Sequence, residues 1–328
     1  MESATAAEID AQYRVLRESA GAFERAGRRV IEARGTEAAE YLQGQLTQDV
    51  ESLEPGTGAY SALLDRKGRM QGDMRVLRLD DAFGIGTEEV AAPAVISHLD
   101  RYKVGRDVEI VDRTDELAVV SVIGPAAIQH LLDGPLGPEH AHREQDVGGI
   151  ATVAVATDLG VDLTLARNEV EALLGALAER GVEPVAEAAA EIVRVESGRP
   201  RFGREMTTAT IPEEAGINER AVSFSKGCYI GQETVARLHY KGKPNRHLRG
   251  LRLAAPVAGG DPVRLGEREL GTIGTAVLSP AQGPIALAIL RREAEPGTEV
   301  EVGAATSAEV VELPFWRFAT GSGLRPFG

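Results

Sequence analysis

The strongest constraint on the fold lies in the last third of the chain, where helical periodicity disappears after about residue 245. Short strands are predicted near 248–254, 262–265, 271–278, 284–290, 298–302 and 306–312. Gly and Pro pairs such as Gly259-Gly260 and Pro296-Gly297 separate them. Because several short strands follow at regular spacing, residues 246–328 are predicted to form a small β-barrel or sandwich. The boundary is predicted at 241–245, where Gly, Pro and Asn stop the preceding helix.

The first 240 residues mix helices with paired strands. Helices are predicted over about 5–21, from a cap at Thr36 to about Gln45, after Gly124-Pro125, over 168–180 and 185–197, and from near Gly231 to about His239. Strands are predicted near 30–33, 59–65, 73–79, 108–112, 117–123, 150–156 and 160–166. Because strands neighbour each other in sequence, we expect an α+β fold with mixed or largely antiparallel sheets, in one region or two subdomains.

Composition excludes several classes of protein. The formal net charge of -14 disfavours binding to bulk nucleic acid or to an anionic membrane surface. Hydrophobic residues make up 43% of the chain, which supports a buried core. The N-terminus carries acids and no basic start followed by an apolar run, and no stretch has the length of a transmembrane helix. We therefore expect a cytoplasmic protein.

The single cysteine, Cys228, lies in the segment Ser225–Glu233 between two glycines. One cysteine allows no internal disulfide, and one thiolate is too few to hold an iron–sulfur cluster, which takes four ligands. A helix that begins just after Cys228 and the charge of Lys226 would stabilise a thiolate. The alternative is a small buried hydrophobic residue, which is the usual state of a lone cysteine.

The string Lys226-Gly227-Cys228-Tyr229-Ile230-Gly231-Gln232-Glu233, continued by 234–237, resembles the signature of the YgfZ family, and 211–216 resembles it too. The resemblance covers essentially the whole chain. It implies a folate-binding region of the glycine-cleavage T-protein type over 1–240 and a C-terminal β-barrel. It also implies that the protein binds tetrahydrofolate and serves iron–sulfur proteins or their assembly machinery through Cys228, assisted by Lys226. Tyr229 and Gln232 of the same motif become candidate folate-binding residues.

A second segment, Arg194-Val195-Glu196-Ser197-Gly198, resembles an Arg-x-Glu-x-Gly stretch of the T-protein, in which the glutamate contacts the folate pterin. A carboxylate can accept two parallel N–H bonds from an aminopyrimidine edge. Glu196, with Arg194 beside it, is therefore the candidate pterin ligand. The alternative is a solvated glutamate at a helix end.

A third pair of segments, 41–50 and 62–70, resembles the N-terminal part of the T-protein folate region. In the T-protein a pair of aspartates follows, and one acts in aminomethyl transfer. Here the pair reads Gly72-Asp73, so only the second acid is present, which argues against aminomethyltransferase activity. Asp73 is a candidate folate-binding residue, although alternation along the strand favours a surface position beside Arg75 and Leu77.

Two further features are less specific. Residues 234–252 carry six Lys or Arg and no acid, which could steer an anion or could form a solvated linker. His140-Ala141-His142 is an i,i+2 pair in a Gly/Pro-bounded loop. Because this is not the i,i+4 helical spacing of a zinc hydrolase, we expect no metal site, and we expect both histidines at the surface.

Three functions remain open from the sequence. The first is a tetrahydrofolate-binding accessory factor for the synthesis or repair of iron–sulfur clusters, with Cys228 as a working thiol. The second is a folate-dependent aminomethyltransferase, and the third is a folate-binding adaptor without catalysis. The cysteine motif and the missing acid at Gly72 favour the first over the second.

Overall fold

A computed structural model describes residues 4–132, 134–304 and 306–316 of the chain. The helices in these ranges are α1 (Ala6–Glu18), α2 (Ala38–Gln45), α3 (Ala92–Tyr102), α4 (Ala127–Leu131), α5 (Val170–Glu179), α6 (Glu187–Glu196), α7 (Asn218–Ala221) and α8 (Gln232–Lys241). The strands before the barrel are β1 (Gly21–Glu24), β2 (Arg28–Arg34), β3 (Gly58–Leu64), β4 (Met70–Arg78), β5 (Ala82–Glu88), β6 (Glu109–Asp112), β7 (Leu117–Ile123), β8 (His142–Val147), β9 (Ile150–Ala156), β10 (Gly160–Ala166) and β11 (Glu183–Pro184). The barrel strands are β12 (Arg246–Leu253), β13 (Pro262–Leu265), β14 (Arg268–Ser279), β15 (Gly283–Arg291), β16 (Glu299–Val302) and β17 (Thr306–Val311).

The first sheet is five-stranded, in the order β3-β4-β5-β2-β6, and every neighbouring pair is antiparallel. Alternation along β4 sends Met74 and Val76 into a core that also holds Leu42 of α2 and Leu99 of α3. The other face of β4 carries Asp73, Arg75 and Leu77, the set that alternation predicts. This second face lines the cavities described below.

The second sheet is six-stranded, in the order β11-β1-β7-β10-β9-β8, and only the short β1–β11 pair is parallel. Its β9 and β10 match the predicted strands, and Thr157 N–H donates to the Gly160 carbonyl at 2.9 Å to close the turn between them. Leu173 and Leu177 of α5 cover the outer face together with Leu131 of α4. The inner face meets the second face of the first sheet, because residues of both sheets line one cavity.

The C-terminal strands close into an antiparallel barrel in the order β12-β15-β14-β13-β16-β17. All six predicted strands are present within a few residues, and the α+β class with a small β-barrel is confirmed. The barrel packs on α6, where Val195 is buried against Ile285 and Leu287 of β15. A hydrogen bond of 2.9 Å from Arg194 to Thr275 of β14 adds to this contact.

Some local predictions were wrong or incomplete. Thr36 does not cap α2, because its hydroxyl donates to Asp107 at 2.6 Å and the helix starts one residue after Glu37. The elements β1, β5, β8, β11, α3 and α7 were not predicted from the sequence. Gly84 and Gly86 weaken the strand signal in β5, while α3 starts without a side-chain cap. Within the described part of the chain, no helix is long and apolar enough to cross a membrane.

Candidate functional site

A polar cavity of about 150 Å³ lies where the two sheets meet α6. Its walls are crowded with charged side chains of both signs. The ionisable groups that line it are Arg25, Arg28, Tyr60, Asp73, Arg75, Glu88, Glu139, His140, Asp158, Glu187, Glu191, Arg194, Arg199, Arg201 and Arg220. Such a mixture of buried acids and bases in a concave site is the setting in which functional residues are found.

Asp73 is the central acid of this cavity. It is only 6% exposed, so the expectation of a surface position was wrong, because the second sheet covers that face of β4. The Tyr60 hydroxyl donates to Asp73 Oδ2 at 2.6 Å, whereas Oδ1 is buried and has no hydrogen-bond partner among the described residues. Burial raises the pKa of the Asp73 carboxyl above its ordinary value, although the Tyr60 hydrogen bond and nearby Arg28 oppose the rise.

Glu88, at the end of β5, anchors three arginines beside Asp73. It pairs with Arg28 at 2.9 Å, with Arg201 at 2.8 Å and more loosely with Arg25 at 3.7 Å. Burial would raise the pKa of the Glu88 carboxyl, but the arginines outweigh it and lower the pKa to about 2. Glu88 is therefore ionised at neutral pH and fixes the positions of cavity arginines.

A larger cavity of about 590 Å³ lies between the inner faces of the two sheets. Aliphatic side chains form much of its wall, including Val30, Leu77, Val119, Val153 and Leu165. Arg28 and Arg75 line both cavities, so the two adjoin. The volume of the larger one falls within the roughly 300–1,000 Å³ range of small-molecule sites.

Asp162 of β10 holds Arg75 at the junction of the two cavities. Arg75 donates to Asp162 Oδ2 at 2.6 Å, and the Ser121 hydroxyl donates to Oδ1 at 2.6 Å. Burial opposes ionisation, but Arg75 and Arg25 lower the pKa of Asp162 to about 2. The guanidinium of Arg75 is thus fixed between an apolar and a polar compartment.

His140 and His142 are both buried, at 8% exposure each, which makes the expected surface position wrong. His140 lies in the loop just before β8 and His142 is the first residue of β8, and His140 N–H donates to the Ala156 carbonyl at the end of β9 at 2.9 Å. Only His140 lines the polar cavity. No group of His, Cys, Asp and Glu in the described residues has the geometry of a metal site.

Arg194 lines the polar cavity, as a binding role would require. Its guanidinium is already bonded to Glu191 at 2.7 Å, to Glu205 at 3.0 Å and to Thr275 of the barrel. Because these partners use much of its donor capacity, Arg194 also joins the cavity wall to the barrel.

Glu196 lies elsewhere and lines neither cavity. Its carboxylate has no exposed surface and accepts hydrogen bonds from Tyr13 at 2.8 Å, from Arg17 at 2.6 Å and from Ser279. The alternative of a solvated glutamate was therefore wrong. These contacts join α1, α6 and β14, and its role as a pterin ligand remains a prediction that the contacts do not support.

Cys228 is exposed, as expected for a working thiol, and is not a buried hydrophobic residue. It lines neither cavity. Lys226 Nζ donates to the carbonyls of Gln43, Leu46 and Gln48 at 2.6–2.8 Å. The three donors of this ammonium group are thus used at the end of α2, and burial lowers the pKa of Lys226 to about 8 despite Asp49 and Glu51.

The rest of the cysteine motif packs on the first sheet. Tyr229 is buried in the core of that sheet, and Gln232 is the first residue of α8. Gly231 has φ +85°, and a Cβ there would meet the Asp65 carbonyl at 2.6 Å. Neither Tyr229 nor Gln232 lines a cavity. The structure therefore brings Asp73 and Arg194 together and leaves Lys226, Cys228, Tyr229, Gln232 and Glu196 outside.

Tyr60, Glu88 and His140 line the polar cavity but were not predicted as site residues. Tyr60 was detectable in part, because it alternates with buried residues on a predicted strand. Glu88 had no such signal, since its strand was not predicted and its partner Arg201 follows 113 residues later.

Comparison with known proteins agrees with this architecture. Residues 2–226 match the family described as GCVT N-terminal domain, and residues 246–316 match the Glycine cleavage T-protein C-terminal barrel domain. An aminomethyltransferase of Rubrobacter xylanophilus is 29% identical over 94% of this chain and 86% of its own length. One from Symbiobacterium thermophilum is 30% identical over 93% of this chain and 88% of its own length.

A solved structure shares the fold. The glycine cleavage system aminomethyltransferase T from Bartonella henselae superposes with a TM-score of 0.84 at 23% identity, over 94% of this chain and 90% of that one. Since the match to the N-terminal family model covers more than half of the sequence and the barrel match follows it, the chain belongs to the glycine cleavage T-protein family.

Proposed function

We propose that this protein binds tetrahydrofolate in its two adjoining cavities and transfers a one-carbon unit to or from it, with Asp73 as the acid–base group. The T-protein family uses tetrahydrofolate, and relatives named aminomethyltransferase match nearly the whole chain. The observation that carries the proposal is the buried Asp73 carboxylate, with Oδ2 bonded by Tyr60 and Oδ1 unpaired within the described residues.

The cavities fit the chemistry of a folate. Its flat rings suit the aliphatic walls between the sheets, where Val30, Leu77 and Val153 lie. Its glutamate carboxylates suit guanidinium groups, and Arg28 and Arg75 stand where the cavities join. Although Gly72 stands where the T-protein has its first aspartate, the polar cavity still contains one carboxylate of the pair, that of Asp73.

When bound, tetrahydrofolate supplies the amine nitrogen that carries the one-carbon unit. Proton transfer at that nitrogen needs a positioned carboxylate, and Asp73 Oδ1 is available for it. Tyr60 holds Oδ2 and so fixes the orientation of the carboxyl group. Burial raises the pKa of Asp73 and makes the carboxylate a stronger base than an exposed aspartate.

Asp73→Asn tests this role, because it keeps the shape of the side chain and removes the base. The rate of aminomethyl transfer to tetrahydrofolate should fall by about 10²- to 10⁴-fold. Folate affinity, measured by calorimetry, should change little. Asp158→Asn is the matched control, since Asp158 lines the same cavity but is held by Arg199 at 2.6 Å. If the wild type binds folate but transfers no aminomethyl group, the protein is a folate-binding adaptor and the proposed transfer is wrong.

A second candidate is the iron–sulfur role that the resemblance to the YgfZ family implies. The exposure of Cys228 favours it. Since Cys228 lines neither cavity, its thiol would act on a partner protein and not on bound folate. Cys228→Ser should then fail to support iron–sulfur enzymes in cells that lack the native protein, with folate affinity unchanged. Full support by Cys228→Ser and Cys228→Ala would exclude the working thiol.

A further inference from the structure

His140 has a backbone conformation that few non-glycine residues adopt. Its φ is 73°, and among the described residues it is the only non-glycine with a positive φ. A residue in this region is strained, and the conformation persists where the surrounding structure imposes it. Such strain collects at functional sites.

The loop around His140 is held from two sides. His140 N–H donates to the Ala156 carbonyl at 2.9 Å, and Ala156 N–H donates to the Ala141 carbonyl at 2.8 Å. His142 N–H donates to the Gly56 carbonyl at 2.9 Å, just before β3. The loop therefore ties the end of β9 in one sheet to the start of β3 in the other, which fixes the imidazole at the polar cavity.

Neither ring nitrogen of His140 makes a hydrogen bond to any described residue. Nδ1 is buried without a partner, and Nε2 lies 3.7 Å from Glu139 Oε1, beyond hydrogen-bond distance. Burial, together with Arg75 and Arg220, lowers the pKa of His140 to about 3, so the ring is neutral at physiological pH. A neutral imidazole offers one N–H donor and one lone pair, and both are unused here.

A buried nitrogen without a partner among the described residues is found in His142 too, but only His140 combines it with a positive φ and a place in the wall of the polar cavity. We propose that His140 is a ligand-binding residue of the polar cavity, where its imidazole hydrogen-bonds a neutral amide or amine of folate beside Asp73. The carboxylates of folate would go to the arginines, which carry the charge. This inference rests on the proposed function and adds a contact on the side of the cavity formed by the second sheet.

His140→Gly separates a ligand contact from a structural role, because a ligand contact predicts weaker tetrahydrofolate binding without a lower melting temperature. Glycine adopts φ 73° without strain, so the melting temperature should stay the same or rise. Loss of one hydrogen bond should weaken tetrahydrofolate binding by about tenfold in calorimetric titration. His140→Asn should recover much of the affinity, because asparagine tolerates positive φ and keeps a donor and an acceptor.

His142→Asn is the matched control, because the asparagine amide can keep the bond that His142 Nδ1 makes to the His140 carbonyl at 3.2 Å. His142 is equally buried and its Nε2 also lacks a partner among the described residues, but it lines neither cavity. The His142 variant should bind tetrahydrofolate with the affinity of the wild type. Unchanged affinity for tetrahydrofolate in His140→Gly would overturn the assignment of His140. A lower melting temperature of His140→Gly, together with an equal loss of affinity in the His142 variant, would overturn it too. A wild type that takes up no tetrahydrofolate would overturn the proposed function and the assignment with it.

Discussion

Asp73 and Glu196 are both buried carboxylates, and their partners give them different chemistry. Glu196 accepts bonds from Tyr13, Arg17 and Ser279 and has no open side. Asp73 has one oxygen in the cavity without a hydrogen-bond partner among the described residues, and its other oxygen accepts a bond from the neutral Tyr60 hydroxyl. A fully bonded carboxylate fixes neighbouring elements, whereas a carboxylate with a free oxygen can accept a proton from a ligand.

Tyr60→Phe should move the acid limb of the transfer rate to higher pH. The Tyr60 hydrogen bond lowers the pKa of Asp73, so its loss leaves the rise caused by burial less opposed. A shift of about one pH unit corresponds to one such bond. Transfer rates between pH 4 and 8 measure it. Tyr229→Phe is the control, because Tyr229 is buried outside both cavities, and an equal shift there would contradict the role of Tyr60.

At the scale of elements, α6 connects the cavity to the rest of the molecule. It places Glu187, Glu191 and Arg194 on the cavity and Glu196 on the contact with α1 and β14. Arg17 of α1 also lies over the Trp316 ring, 3.2 Å from its centre, beside the Glu196 network. The Glu196 carboxylate therefore bonds to both the N-terminal helix and the barrel, in addition to the apolar contacts that α6 makes with each.

Glu196→Gln should destabilise the protein by about 3 kcal/mol, because it leaves Arg17 without its buried partner. Urea unfolding measures the loss. Glu267→Gln, an exposed substitution in the barrel, should change stability by less than about 0.5 kcal/mol. If Glu196→Gln kept full stability and lost folate affinity, Glu196 would be the pterin ligand that its sequence motif predicts.

At the scale of the whole molecule, the charged cavity is assembled from distant parts of the chain. Glu88 of β5 contacts Arg28 of β2 and Arg201 from the segment after α6. The pKa of Glu88 is lowered from 4.5 to about 2, so its ionised form stabilises the folded state. This contribution is complete above about pH 4.5 and is lost as the pH falls through 2.

Glu88→Gln should lower the free energy of unfolding at pH 6 by an amount on the order of 3 kcal/mol, the value of the pKa shift. The deficit should shrink at pH 3, because below pH 4.5 this glutamate is protonated in the unfolded wild-type chain while it stays largely ionised in the folded protein. Urea unfolding of the wild type and of Glu88→Gln at the two pH values measures how this deficit changes with pH. Glu89→Gln is the control, since the ion pair of Glu89 with Arg29 lies at the surface and contributes at most about 1 kcal/mol to stability. An equal deficit at both pH values would contradict the linkage.

The sequence by itself determined the local elements and the residues that share a face. Turn residues marked the ends of β9, β10 and the barrel strands, and alternation put Asp73, Arg75 and Leu77 on one side of β4. These features depend on neighbours a few residues apart, so a single sequence contains them. The helix after Cys228 could be predicted for the same reason.

Only the tertiary structure decided which faces are covered and which charges meet. Asp73 is buried because the second sheet lies against β4. Glu196 is buried because Tyr13 and Ser279, which are 183 and 83 residues away in the chain, contact it. The same packing buries His140 and leaves Cys228 outside both cavities. The physical reason is that desolvation and ion pairing depend on distance in space, and a polar residue's type and position in the chain do not specify which groups will surround it.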